Sequence, residues 1–146
     1  MPELDELYQE LILDHSKRPH NQREMPDADR KADGYNPLCG DRVRVFVNLQ
    51  DDKVADVSFT GVGCAICTAS ASLMTDAVKG KARGEARALF DSFHHHLTGE
   101  GDASQLGKLA VLSGVRNYPI RVKCATLPWH TFRAALEDES SVVSTE

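Results

Sequence analysis

The sequence has no apolar run approaching the ~20 residues needed to span a bilayer, so no membrane-spanning helix is expected. It has no basic surplus either. Its 17 Lys and Arg stand against 22 Asp and Glu, a formal net charge of −5, which argues against nucleic acid as a partner. The N-terminal stretch MPELDELYQELILDH is acidic and amphipathic, unlike a signal or transit peptide. No repeat and no linker divides the 146 residues, so one domain over 1–146 is expected, with a core at about 4–136 and a polar tail, 137–146, that frays. The expected location is the cytoplasm. Cysteine is scarce, at four residues. In a reducing compartment, spaced cysteines favour metal binding or thiol chemistry over disulfides.

What is present reads as alternating and helical patterns. Residues 3–16 predict a helix with Leu4, Leu7, Tyr8, Leu11 and Ile12 on one side, ended by Pro19. Residues 17–36 predict a loop with room for one short edge strand, and His15 and His20 read as surface or turn histidines. DRVRVFVNL, from Asp41, alternates strictly, with Val43, Val45, Val47 and Leu49 on one face and Arg42, Arg44, Phe46 and Asn48 on the other. Asp51-Asp52 turns the chain, and residues 53–60 return antiparallel with Ala55, Val57 and Phe59 inward. Extending the first strand backwards by its period of two puts Cys39 and Asp41 in the row of Val43 and Val45.

Gly61-Val62-Gly63 breaks the second strand, and Cys64 opens a helix whose buried stripe is Ile66, Ala69, Ser70, Leu73, Met74 and Ala77, closed by Gly80. Residues 84–98 predict another helix. Its His94-His95-His96 run does not converge on one ion, because successive helical residues point about 100° apart. It reads as a solvated or partly packed face. A short helix follows around 105–113. Ile120-Arg121-Val122-Lys123 is expected to be extended and to deliver Cys124 to a final helix, with Thr126 and Pro128 in its first turn.

Cys39, Asp41, Cys64, Cys67 and Cys124 are five candidates for a tetrahedral site of four donors. Their spacing is too wide for a short zinc-finger motif and suits one site assembled by folding. Residue type alone favours the four cysteines. Geometry also admits Asp41, on the strand face of Cys39, while Cys67 lies one turn from Cys64. Helix N-termini facing Cys64 and Cys124, with Arg121 and Lys123 beside the latter, favour thiolate. A redox use of Cys64-x-x-Cys67 lacks the strand-helix context of thioredoxin.

Three motifs in order carry a resemblance: Asn36-Pro37-Leu38-Cys39-Gly40-Asp41, Gly61-Val62-Gly63-Cys64-Ala65-Ile66 with Ala69-Ser70-Ala71-Ser72, and Arg121-Val122-Lys123-Cys124-Ala125-Thr126-Leu127-Pro128-Trp129. With Leu7-Tyr8, Asp14-His15 and Pro19, they resemble the U-type iron–sulfur assembly proteins (IscU, NifU N-terminal domain, SufU) over about residues 4–136. Within that family the likeness to SufU is greater. Lys123 stands where IscU has His, Tyr118–Lys123 replaces the segment IscU offers to its chaperone, and an extra segment covers about 84–105.

The resemblance implies an α+β fold, a three-stranded antiparallel sheet with helices on one face. It implies that Asp41, Cys64 and Cys124 bind Zn²⁺ together with Cys39. It further implies that Cys39 leaves the metal when a SufS-like cysteine desulfurase docks, accepts persulfide sulfur, and passes it to downstream SUF scaffold proteins. Arg121 would stabilise the released thiolate or persulfide. Cys67 is not among the ligands carried over and reads as a small buried helix residue. Three functions compete: a zinc-dependent sulfurtransferase, a scaffold for a transient [2Fe–2S] cluster, and a structural zinc-binding interaction module.

Overall fold

The strict alternation after Asp41 builds the centre of a sheet. The computed structural model describes residues 2–37, 40–98, 106–137 and 143–144; Leu38 and Cys39 lie outside them. The chain runs α1 (Pro2–Lys17), β1 (Arg30–Asn36), β2 (Asp41–Gln50), β3 (Lys53–Val62), α2 (Ala65–Val78), α3 (Arg83–Leu97), a 3₁₀ helix (Gly107–Asn117), α4 (Pro119–Leu136) and β4 (Val143–Ser144). The sheet order is β3-β2-β1-β4, antiparallel except for the β1–β4 edge, which is parallel. The fold is α+β, as expected, with three principal antiparallel strands.

Four details differ from the sequence-based expectation. First, the short edge strand is a seven-residue strand, β1, and β2 is the strand between its two neighbours. Second, Ala55 is exposed and Val54 is buried, because the β2–β3 register slips between Asn48 and Leu49 and shifts the alternation by one residue. Third, Ile120–Lys123 is helical. Pro119 is pre-set for a first helical turn, and α4 runs from it through Cys124 to Leu136, so Thr126 and Pro128 lie well inside the helix. The alternation Ile-Arg-Val-Lys imitates a strand, yet Ile120 is exposed and Val122 half-buried. Fourth, in the tail expected to fray, Glu137 is the C-cap of α4 and Val143–Ser144 pair with β1.

The core lies between the sheet and the helices. Val45, Val47 and Val57 project from the sheet towards Leu73 and Met74 of α2 and Trp129 and Phe132 of α4. Phe93 of α3 stacks on Trp129 with centroids 4.8 Å apart. Helix α4 packs on β1, β2 and α2, while α1 packs along α2, with Leu11 and Ile12 against the core. The side chains of Leu4, Leu7 and Tyr8 lie outside the described set. At Gly34 helix α4 lies so close to β1 that an added Cβ would sit 2.0 Å from Thr131 Oγ1. The histidine triplet splits as expected. His94 stacks on Phe90, His95 is exposed, and buried His96 bonds through Nε2 to Ser113 Oγ at 2.7 Å.

Candidate metal centre

The hairpin between β1 and β2 fixes the first part of the site. Asn36 and Asp41 face each other across the strand ends, and Gly40 N–H donates to Asn36 O at 2.8 Å. The connection they close carries Cys39. Asn36 is fully buried and donates from Nδ2 to Cys124 Sγ at 3.8 Å. Asp41 is buried in the row of Val43 and Val45, as the alternation predicts.

Cys64 caps α2. Its backbone is extended, its Sγ accepts the Cys67 N–H at 3.4 Å, and its own N–H donates to Asp41 Oδ1 at 2.9 Å. The sulfur thus sits at the N-terminus of α2, with a backbone N–H aimed at it. Gly63 lets this segment come close, since a Cβ would lie 3.1 Å from Asp41 Oδ1 and 3.2 Å from Cys67 Sγ.

Cys124 is buried on α4 and not ahead of a helix, so the expected helix-end field at its sulfur is not its environment. Pro128, four residues on, has no N–H to give the Cys124 carbonyl. The adjacent Ala125 carbonyl instead accepts the Ser70 hydroxyl of α2 at 2.5 Å, which ties the two cysteine-bearing helices together.

Asp41, Cys64 and Cys124 thus converge, with one ligand atom from each lying within 4.8 Å of the others. Tetrahedral zinc with Zn–S of about 2.3 Å and Zn–O of about 2.0 Å needs S···O separations of roughly 3.5 Å. Cys64 Sγ lies 3.9 Å from Asp41 Oδ2, so a small movement suffices. Each donor is also oriented by an N–H, from Cys64, Cys67 or Asn36. Two thiolates and one carboxylate suit zinc, with one place left for a fourth donor. Cys67 stays outside the trio. It is buried in the core beneath Gly63, the position expected of a small helix residue.

Arg121 is exposed in the first turn of α4, with its guanidinium 5.1 Å from the centre of the Tyr118 ring. It lies one helical turn from Cys124. Cys39, the remaining expected ligand, falls outside the described residues. Sequence reasoning does not find Asn36 as a partner of Cys124, nor the burial of His15. Ser70 falls in the expected buried stripe of α2, and only its bond to the Ala125 carbonyl depends on the fold.

An α+β domain thus carries, across a strand end and two helices, an Asp/Cys/Cys trio that could hold a metal ion. The chain belongs to the NifU-like N-terminal domain family, which it matches over residues 7–125. It is 41% identical over 139 residues to an iron–sulfur cluster assembly scaffold protein IscU of Streptococcus pyogenes, covering 94% of this chain and 87% of that one. It is also 41% identical over 138 residues to the zinc-dependent sulfurtransferase SufU of Bacillus subtilis, covering 93% of each. A candidate SUF-system assembly scaffold protein from Fervidobacterium islandicum has a solved structure that superimposes with a TM-score of 0.83 at 37% identity, covering 87% of this chain and 94% of that one. Among the described residues, no helix is long and apolar enough to cross a membrane.

Proposed function

We propose that this chain is a zinc-dependent sulfur-transfer protein of iron–sulfur cluster assembly, working with a SufS-like cysteine desulfurase in the cytoplasm. The observation that carries the proposal is the convergence of Asp41, Cys64 and Cys124 beside the connection that holds Cys39. Both flanks of Cys39 touch the trio, Asn36 through Cys124 Sγ and Asp41 as a member. Zinc held by Asp41, Cys64, Cys124 and Cys39 would keep the Cys39 sulfur as a thiolate until the partner docks.

The residues then act in sequence. Gly40, at φ +74°, permits the tight turn and leaves open space where a side chain would stand. The Cys39 thiolate attacks the terminal sulfur of the desulfurase persulfide. The old S–S bond breaks, the desulfurase cysteine leaves as thiolate, and Cys39 carries the persulfide, with no net oxidation. Arg121 supplies positive charge to that sulfur. A second exchange of the same form passes it to a downstream SUF scaffold protein.

Lys123 in place of the IscU histidine and the SufU relative both support sulfur transfer over cluster assembly on this chain. The equally similar IscU relative favours a second reading, a scaffold on which a transient [2Fe–2S] cluster is assembled as cargo. Cys39→Ala tests the first. Stimulation of a cognate desulfurase should fall to the basal rate, and undiminished stimulation refutes it. Anaerobic reconstitution followed by transfer to an apo-ferredoxin tests the second.

A further inference from the structure

The far end of α2 carries another convergence of metal-ligating side chains. Asp76 lies twelve residues beyond Cys64, so roughly 18 Å of helix separates it from the trio. One ring nitrogen from His15, one from His20 and a carboxylate oxygen of Asp76 lie within 4.8 Å of one another. The three come from different segments: the last turn of α1, the turn after it, and the last turn of α2. We propose that His15, His20 and Asp76 hold a second divalent transition-metal ion, of the zinc class, that fastens the end of α1 and its following turn to α2.

The surroundings are those of a built site. His15 is buried, and its Nδ1 is held by Ser72 Oγ at 2.7 Å. Histidine ligands are regularly oriented by such a bond at one nitrogen. The Ser72 hydroxyl also accepts the His20 backbone N–H at 2.8 Å, so one residue of α2 positions both histidines. The two rings lie 4.5 Å apart between centroids. Asn21, in a left-handed turn at φ +58°, donates from Nδ2 to Thr75 Oγ1 at 3.0 Å and to Asp76 Oδ1 at 3.4 Å. His20 Nδ1 and Asp76 Oδ2 meet at 2.5 Å, closer than the roughly 3.3 Å that two ligands of one zinc require. Both side chains are nearly half exposed, which leaves room for the small opening.

Two nitrogens and one oxygen leave coordination places for water, the pattern of an exchangeable site and not of a closed structural one. The donor set suits zinc, nickel or copper better than calcium or magnesium, which prefer all-oxygen shells. This second site is independent of the sulfur-transfer proposal.

The test is metal stoichiometry of the untagged protein, by equilibrium dialysis at a series of buffered zinc concentrations. The native chain should reach two equivalents. His20→Ala and Asp76→Asn should each stop at one and keep the first. Cys64→Ala should lose the first and keep the second. His95→Ala should leave both, which separates the site from the histidine triplet. Cobalt added to the one-zinc protein should give d–d absorption without a sulfur-to-metal charge-transfer band. His20→Ala retains its backbone bond to Ser72, so its fold is preserved, and circular dichroism verifies that. A native protein that stops at one equivalent overturns the proposal. So does a second equivalent that survives both His20→Ala and Asp76→Asn; either result leaves these residues as a hydrogen-bonded latch.

Discussion

Gly34 sets the distance between α4 and the sheet, and so the position of Cys124. Gly34→Ala would place a Cβ 2.0 Å from Thr131 Oγ1 and 3.0 Å from Leu127 Cδ1. Ordinary contact begins at 3.4 Å, so helix and strand must part by about 1.4 Å or Thr131 must swing away from Leu127 O, to which it is bonded at 2.8 Å. Overpacking of this kind costs about 1–3 kcal/mol, and the β-branched Thr131, held by its bond to Leu127 O, resists the swing and puts the site in the upper half of that range. Thr131→Ala alone removes a buried methyl and hydroxyl and costs ~1 kcal/mol. In Gly34→Ala/Thr131→Ala the principal overlap is gone, and only the flexible Leu127 tip at 3.0 Å and the Cβ of residue 131 at 3.3 Å remain close. The double variant is therefore expected to be more stable than the sum of the singles by ~1–2 kcal/mol. Urea unfolding at constant m measures all three. Additivity within ~0.5 kcal/mol, or a neutral Gly34→Ala, refutes the reasoning. Zinc affinity should fall in Gly34→Ala and recover in the double variant, because Cys124 lies on the displaced helix.

Two further outcomes follow from the buried groups. Burial pushes His130 down to about 4 from 6.5, and the positive fields of His94 and Arg133 add to it. The unfolded chain therefore binds the extra proton between pH 6.5 and 4, and stability present above 6.5 is lost as pH falls through that window. The full shift would be worth ~3 kcal/mol, and roughly half remains once the ring's partial exposure is allowed for. His130→Phe should flatten the pH dependence of the urea midpoint between these limits, and an unchanged profile contradicts the assignment. Cys67→Ala should keep its zinc and lose ~1 kcal/mol of stability, since the residue is buried in the core outside the Asp41/Cys64/Cys124 trio; loss of zinc on dialysis would make it a ligand.

The hairpin and α2 were legible because their signals are local. Strict alternation from Asp41 to Leu49 fixes which residues face the helices, and so places Asp41 inside. A glycine break followed by Cys64 marks the N-cap of α2. The slip at Asn48 was not legible, because a β-bulge changes which residue of a pair is inward without changing composition. Ile120–Lys123 misled for the opposite reason. Two β-branched residues in alternation look like a strand, but Pro119 starts a helix ahead of them and they form its first turn. The burial of His15 beside Ser72 has no local signal, because it depends on α1 meeting α2, a contact between residues 57 apart. The trio itself was visible as residue types, but its closure by Asn36 and the Ser70–Ala125 bond depends on tertiary contact.

In the proposed function Cys39 is the sulfur acceptor while Asp41, Cys64 and Cys124 hold the metal. The most direct measurement is peptide mass spectrometry of the zinc-loaded protein after incubation with desulfurase and cysteine, paired with metal analysis of the same sample. One added sulfur is expected on the Cys39 peptide, removed by a reducing agent, with none on the Cys64 or Cys124 peptides. Persulfide on Cys64 or Cys124 with Cys39 unmodified, or no persulfide anywhere in a protein that retains its zinc, would contradict it.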